Sequence, residues 1–109
     1  MSTITTHVLD AVLGKPASSI AVRLEKQAAH GWVVLSEGAT DSDGRCRDLC
    51  HDGSDGAYRL TFAVEAYFAG HGRHSIYTEI AIAFLVDGKH PYHIPLLLSD
   101  NSYTTYRGS

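Results

Sequence analysis

Apolar and polar residues alternate along much of this chain with the period of a half-buried strand. Within residues 19–24, Ile20, Val22 and Leu24 share a face. The run Trp32-Val33-Val34-Leu35 follows after a gap at His30-Gly31. Tyr58, Leu60 and Phe62 alternate next, and residues 76–86 form a longer stretch with Ile80, Ile82 and Phe84 on one side. Residues 92–98 are nearly all apolar and contain Pro95, while residues 4–8 and 103–107 are short strand candidates. Asp41-Ser42-Asp43-Gly44, Asp52-Gly53-Ser54-Asp55-Gly56 and Asp87-Gly88 separate these runs with residues that tolerate tight or left-handed backbone. Seven or eight strands at such spacing predict an all-β, antiparallel sandwich. Residues 64–69 break the pattern: good helix formers end at Gly70, which predicts one short helix.

Composition narrows the class. A length of 109 residues predicts a single domain over residues 1–109, with no repeat or linker. Hydrophobic residues make up 44% and charged residues 19%, the balance of a globular chain. A net charge of −3 with scattered Lys and Arg argues against nucleic-acid binding. No window approaches the run of about 18 apolar residues that a membrane span needs. The opening lacks a basic stretch followed by an apolar one, so the expected compartment is the cytoplasm. Cys46 and Cys50 fall in a Gly- and Asp-rich stretch read as loop, and both are expected to be free thiols.

Candidate chemistry rests on the histidines, of which there are seven. His30, His51, His71 and His74 sit beside glycine or charge and read as exposed loop residues. His7 and His93 lie inside apolar strand-like runs, where an imidazole is either a satisfied interior group or part of a site. No metal is expected. His90 and His93 are three apart, and residues three apart on a strand point to opposite faces. The Asp41-Ser42-Asp43-Gly44 stretch resembles a calcium loop, but its glycine and its twelfth residue, Asp52, are wrong for one. Neither a nucleophile elbow nor a glycine-rich phosphate loop is present. The last residues stay β-prone almost to the end, whereas most termini fray.

Several stretches together resemble one family. These are Thr6-His7-Val8-Leu9-Asp10 with Gly14-Lys15-Pro16-Ala17, Thr40-Asp41-Ser42-Asp43-Gly44-Arg45, the run from Tyr92 to Ser99, and the final Tyr106-Arg107-Gly108-Ser109. The whole chain resembles transthyretin-related proteins, and the terminal tetrapeptide resembles the mark of their 5-hydroxyisourate hydrolases. The resemblance implies a transthyretin-like β-sandwich of two four-stranded sheets with one short helix. It implies a homotetramer whose dimers pack back to back around a channel holding the sites. It further implies hydrolysis of 5-hydroxyisourate at a cyclic amide C–N bond, in urate breakdown, without a cofactor. His7, Arg45 and His93 carry over as catalytic residues. His7, Arg45, Tyr106, Arg107, Gly108 and Ser109 carry over as substrate-binding ones. Departures fall at Pro91, at Asp100-Asn101-Ser102 and at residues 76–79, where a proline is expected. The alternative is a carrier that binds a small aromatic ligand in the same channel. The apolar run over residues 92–98 is itself expected to form an intersubunit contact.

Overall fold

The computed structural model describes residues 1–108. Nine strands and one helix follow in order: β1 (Ser2–Asp10), β2 (Lys15–Pro16), β3 (Ala21–Ala28), β4 (Gly31–Ala39), β5 (Arg45–Gly53), β6 (Gly56–Ala63), α1 (Glu65–Gly70), β7 (Ile80–Val86), β8 (Tyr92–Leu98) and β9 (Tyr103–Thr105). They form the expected two-sheet sandwich, with four strands in one sheet and, because the two-residue β2 adds to an edge, five rather than four in the other. One sheet runs β4-β3-β6-β7, antiparallel throughout. In the other, β1 pairs with β5 and the two-residue β2 along one edge and with β8 along the other, and β9 lies outside β8. β1 and β8 run parallel, a departure from the antiparallel expectation. The reason is connectivity: β7 belongs to the opposite sheet, so β8 enters this one by a crossover rather than a hairpin.

The inward faces close on a single core. Ile4, Val8 and Leu96 meet Leu24, Tyr58, Leu60 and Phe62, all at most 1% exposed. Cutting a side chain such as Leu96 back to Ala costs about 2–5 kcal/mol. α1 places Tyr67 and Phe68 under the sandwich end. Tyr67 donates its hydroxyl to buried Asp10 at 2.7 Å, and Arg73 joins Asp10 to Asp100. This network ties the end of β1 to the loop before β9.

Some local expectations fail for identifiable reasons. Residues 45–53 form β5 rather than loop, so Cys46, Cys50 and His51 lie on a strand. Its alternation is broken because Ile4 pairs with Cys50 and Thr6 with Cys46, which bulges β5 around left-handed Asp48 (φ 64°). Both cysteines are free, as expected. β4 exceeds residues 32–35 because it is an edge strand with most positions exposed, which hides its period. Residues 76–79 do not join β7: the Ile76 amide donates to Asn101 Oδ1, and Thr78 offers its carbonyl to the Glu65 amide at the start of α1. In β8, Tyr92, Ile94, Leu96 and Leu98 all face the core.

Candidate active site

The site is built by the outward face of the β1 sheet. β1 alternates, with Ile4, Thr6 and Val8 inward and Thr5, His7 and Leu9 outward. Pairing carries that face sideways. His7 lies opposite Arg45 on β5, and Thr5 lies opposite His93 on β8. Neighbouring strands stand about 4.8 Å apart, and positions two residues along a strand about 6.7 Å. Two imidazoles and a guanidinium therefore share one small area of sheet.

The turn before β5 fixes two of these groups. Asp41 Oδ1 accepts from the amides of Asp43 and Arg45 at 2.9 and 3.0 Å. Those amides, the Arg45 one foremost, hold the Asp41 carboxyl below its ordinary range. Gly44 (φ 77°) presses on β1: a Cβ there would lie 2.3 Å from the Val8 carbonyl oxygen. With the turn so placed, His7 Nε2 donates to the Asp43 carbonyl at 2.7 Å. A carbonyl can only accept, so Nε2 carries the proton of this bond and Nδ1 is left facing away from it.

His93 is held from two sides. Its Nδ1 lies 2.8 Å from Thr5 Oγ1. Across the ring, the Gly108 amide donates to the His93 carbonyl at 2.7 Å, and a Cβ on Gly108 would lie 2.7 Å from His93 Cδ2. Only glycine lets the tail approach this closely. Burial, then the charges of Arg45 and His7, push His93 below the ordinary 6.5 of imidazole, so the ring is neutral near pH 7.

Pro95 accounts for the path of the tail. Thr105 pairs with Leu96, and Gly108 pairs with His93 in the same register, three positions further along the tail and three back along β8. Pro95 has no N–H to give, and its carbonyl is taken by the Thr105 hydroxyl at 2.8 Å. The ladder lapses at this point and the pairing returns at Gly108. Arg107 lies 4.1 Å above the Tyr92 ring and donates to the Pro91 carbonyl at 3.2 Å.

An open depression of about 770 Å³ results, lined by Thr5, Arg45, His90, Pro91, His93, Arg107 and Gly108. Of the residues expected from sequence, Arg45, His93, Arg107 and Gly108 line it together. His7 stands next to it along β1. Tyr106 is 54% exposed beside it rather than on its wall, and Ser109 lies outside the described residues. Thr5, His90 and Pro91 were not anticipated. Thr5 was within reach of sequence reasoning, since two residues before His7 on a strand means the same face. His90 is oriented by Asp87, which its ring holds well below the ordinary carboxylate range. Among the described residues, the arginine ion pairs join Arg23 and Arg59 to Glu25, Arg47 to Asp41, and Arg73 to Asp10 and Asp100; neither Arg45 nor Arg107 has a carboxylate partner. No group of three or more potential metal ligands is found among them.

Comparison with known proteins agrees with this fold. The 5-hydroxyisourate hydrolase of Mus musculus is 40% identical over 113 residues, covering 99% of this chain and 96% of its own. The solved Klebsiella pneumoniae 5-hydroxyisourate hydrolase superposes with a TM-score of 0.88 at 34% identity, covering 100% of this chain and 94% of that one. Transthyretin from Sparus aurata superposes with a TM-score of 0.91 at 32% identity, covering 96% and 95%. The model of the HIUase/Transthyretin family matches residues 4–108, and the chain belongs to that family.

Proposed function

We infer that this protein hydrolyses 5-hydroxyisourate in purine catabolism, opening the ring at a cyclic amide C–N bond to give 2-oxo-4-hydroxy-4-carboxy-5-ureidoimidazoline. The observation that carries the mechanism is that a neutral imidazole, His93, and the guanidinium of Arg45, without a carboxylate partner among the described residues, line one depression. Water is a weak nucleophile and needs a base with a pKa near or below neutrality. His93 takes that role. Attack on the ring carbonyl places negative charge on its oxygen, and Arg45 stabilises it. The departing nitrogen needs a proton as the C–N bond breaks, and His7 is the second group able to handle one. Arg107 and Gly108 form the wall on the tail side, and Tyr106 beside it and Ser109, next in the sequence, complete the set of substrate-binding residues.

The functional unit is the single domain over residues 1–109, in the cytoplasm, assembled as a homotetramer with sites at the dimer–dimer interface. In support, the site face is open in one subunit, and Val12 and Leu13 in the turn after β1 are 61% and 43% exposed. Among the described residues, no helix is long and apolar enough to cross a membrane. The carrier reading fits less well, because a pocket for an apolar hormone needs few proton-transfer groups.

The test mixes the purified protein with freshly made 5-hydroxyisourate and follows its ultraviolet decay. The reading predicts decay far faster than the spontaneous rate, and decay at the spontaneous rate overturns it. Sedimentation should show four subunits, and a monomer at micromolar concentration overturns the shared-site arrangement.

A further inference from the structure

We propose that Thr5 is a positioning residue for the reaction: its hydroxyl accepts the Nδ1 proton of His93 and so keeps the lone pair of that ring on Nε2. The inference rests on the hydrolase reading above, which assigns Thr5 nothing.

Three observations converge on it. Thr5 and His93 are direct partners across β1 and β8, so their side chains leave the same face of the sheet. Thr5 Oγ1 stands 2.8 Å from Nδ1, hydrogen-bond distance. Gly108 closes the Cδ2 edge of the ring so tightly that no side chain would fit there. A ring fixed at Nδ1 on one side and at Cδ2 on the other has one orientation. The strand pairing makes that orientation a property of the sheet rather than of a loop.

Chemistry selects the direction of the bond. A base that takes a proton at Nε2 becomes an imidazolium, whose Nδ1–H must then have an acceptor. A hydroxyl accepting at Nδ1 serves the ring before and after the transfer, without moving. Were Thr5 the donor, it would have to turn over at each cycle. The charged and titratable groups around the ring are Arg45 from β5, His7 from β1, His90 from the segment before β8, and Arg107 from the tail. None of these faces Nδ1 as an acceptor. Among the described residues, Thr5 is the hydrogen-bond partner at Nδ1 placed to stabilise the protonated ring, against the burial and the cations that disfavour it.

The experiment uses the intact protein, Thr5→Val and Thr5→Ser. Valine keeps the shape and removes the hydroxyl, and serine restores it. Nitrogen-15 NMR of the histidine rings should show His93 protonated at Nδ1 in the intact protein and in Thr5→Ser, and mixed tautomers in Thr5→Val. The kcat of Thr5→Val should fall about 10–100-fold, the usual effect of losing the partner that orients a functional imidazole. KM should change little. The acidic limb of its kcat profile should move to lower pH, because the imidazolium has lost its acceptor. Thr5→Ser should recover both. Protonation at Nε2 in the intact protein overturns the proposal, as does a Thr5→Val enzyme with native kcat and an unmoved acidic limb. If the intact protein fails to hydrolyse 5-hydroxyisourate, the hydrolase reading falls, while the tautomer spectrum still reports on Thr5.

Discussion

The two sheets present contrasting outer faces. On the β3–β6 sheet, Glu25 is 6% exposed and is flanked by Arg23 and Arg59, and Arg59 also stacks 4.4 Å over Trp32. Its cations are neutralised and packed. On the β1–β8 sheet, Arg45 and Arg107 stand without a carboxylate among the described residues, close to His7 and His93. The same fold therefore uses arginine in two ways. Where the guanidinium is paired, it fills a place in the structure. Where it is left unpaired beside a neutral imidazole, it is available to a ligand. Unspent charge, rather than charge itself, marks the face proposed to work on substrate.

The largest effects should come from removing the imidazoles. His93→Ala and His7→Ala should each lower turnover about 10²–10⁴-fold, the share of a general acid or base, with the assembly intact by sedimentation. Native turnover in both variants removes the acid–base assignment. Because His93 is held below the ordinary imidazole value, the acidic limb of kcat/KM for the intact enzyme should lie below 6.5. A limb above that value contradicts the claim that the ring is kept neutral.

Exchanging arginines between the faces sharpens the contrast. Arg45→Gln should lower kcat about 10²–10³-fold, the scale of a lost oxyanion donor, with little change in melting. Arg59→Gln should do the reverse. Activity stays, while the buried Glu25 loses its better partner, at about 1–3 kcal/mol. If both variants behave alike in assay and melt, the distinction between the faces fails.

The smallest effect concerns a carboxylate used only for structure. Burial pushes Asp10 up, but hydrogen bonds from Arg73, from Tyr67 and from the Leu13 amide outweigh it and hold the carboxyl at about 2. A group depressed from 3.8 in this way stabilises the fold above about pH 4, and loses that contribution as pH falls towards about 2. The difference amounts to roughly 2 kcal/mol. Melts from pH 5 to pH 2 should therefore fall more steeply for the intact protein than for Asp10→Asn. Parallel curves would show that the network does not carry this stability.

Strands that bury one face were legible from alternation alone, as with Tyr58, Leu60 and Phe62 on β6. The short helix was also legible from its helix formers, although Gly70 is its last residue and the left-handed glycine that follows is Gly72 (φ 64°). β5 was not. Its inward residues, Cys46, Leu49 and Cys50, follow no period of two, because the bulge at Asp48 inserts extra residues opposite β1. Arg45 thus entered through family resemblance, while its placement opposite His7 emerged only from strand pairing. His7 and His93 stood out as imidazoles within apolar runs. His90 did not, because its position depends on how Asp87 turns the chain into β8. The tail's approach to His93 depends on the lapse of the ladder at Pro95, a consequence of pairing that local pattern does not contain.

The claim that the outward face of β1, β5 and β8, closed by the tail, is the hydrolase site is tested most directly by a chain ending at Thr105. Its rate of 5-hydroxyisourate decay is measured beside its thermal melt. The deletion keeps β9 and the sandwich core, so the melting temperature should fall by several degrees at most, about what a 1 kcal/mol loss gives at this size. It removes Gly108 from the His93 ring and Arg107 from the depression, so decay should drop close to the spontaneous rate. A folded truncation that still destroys 5-hydroxyisourate at the native rate would contradict the account.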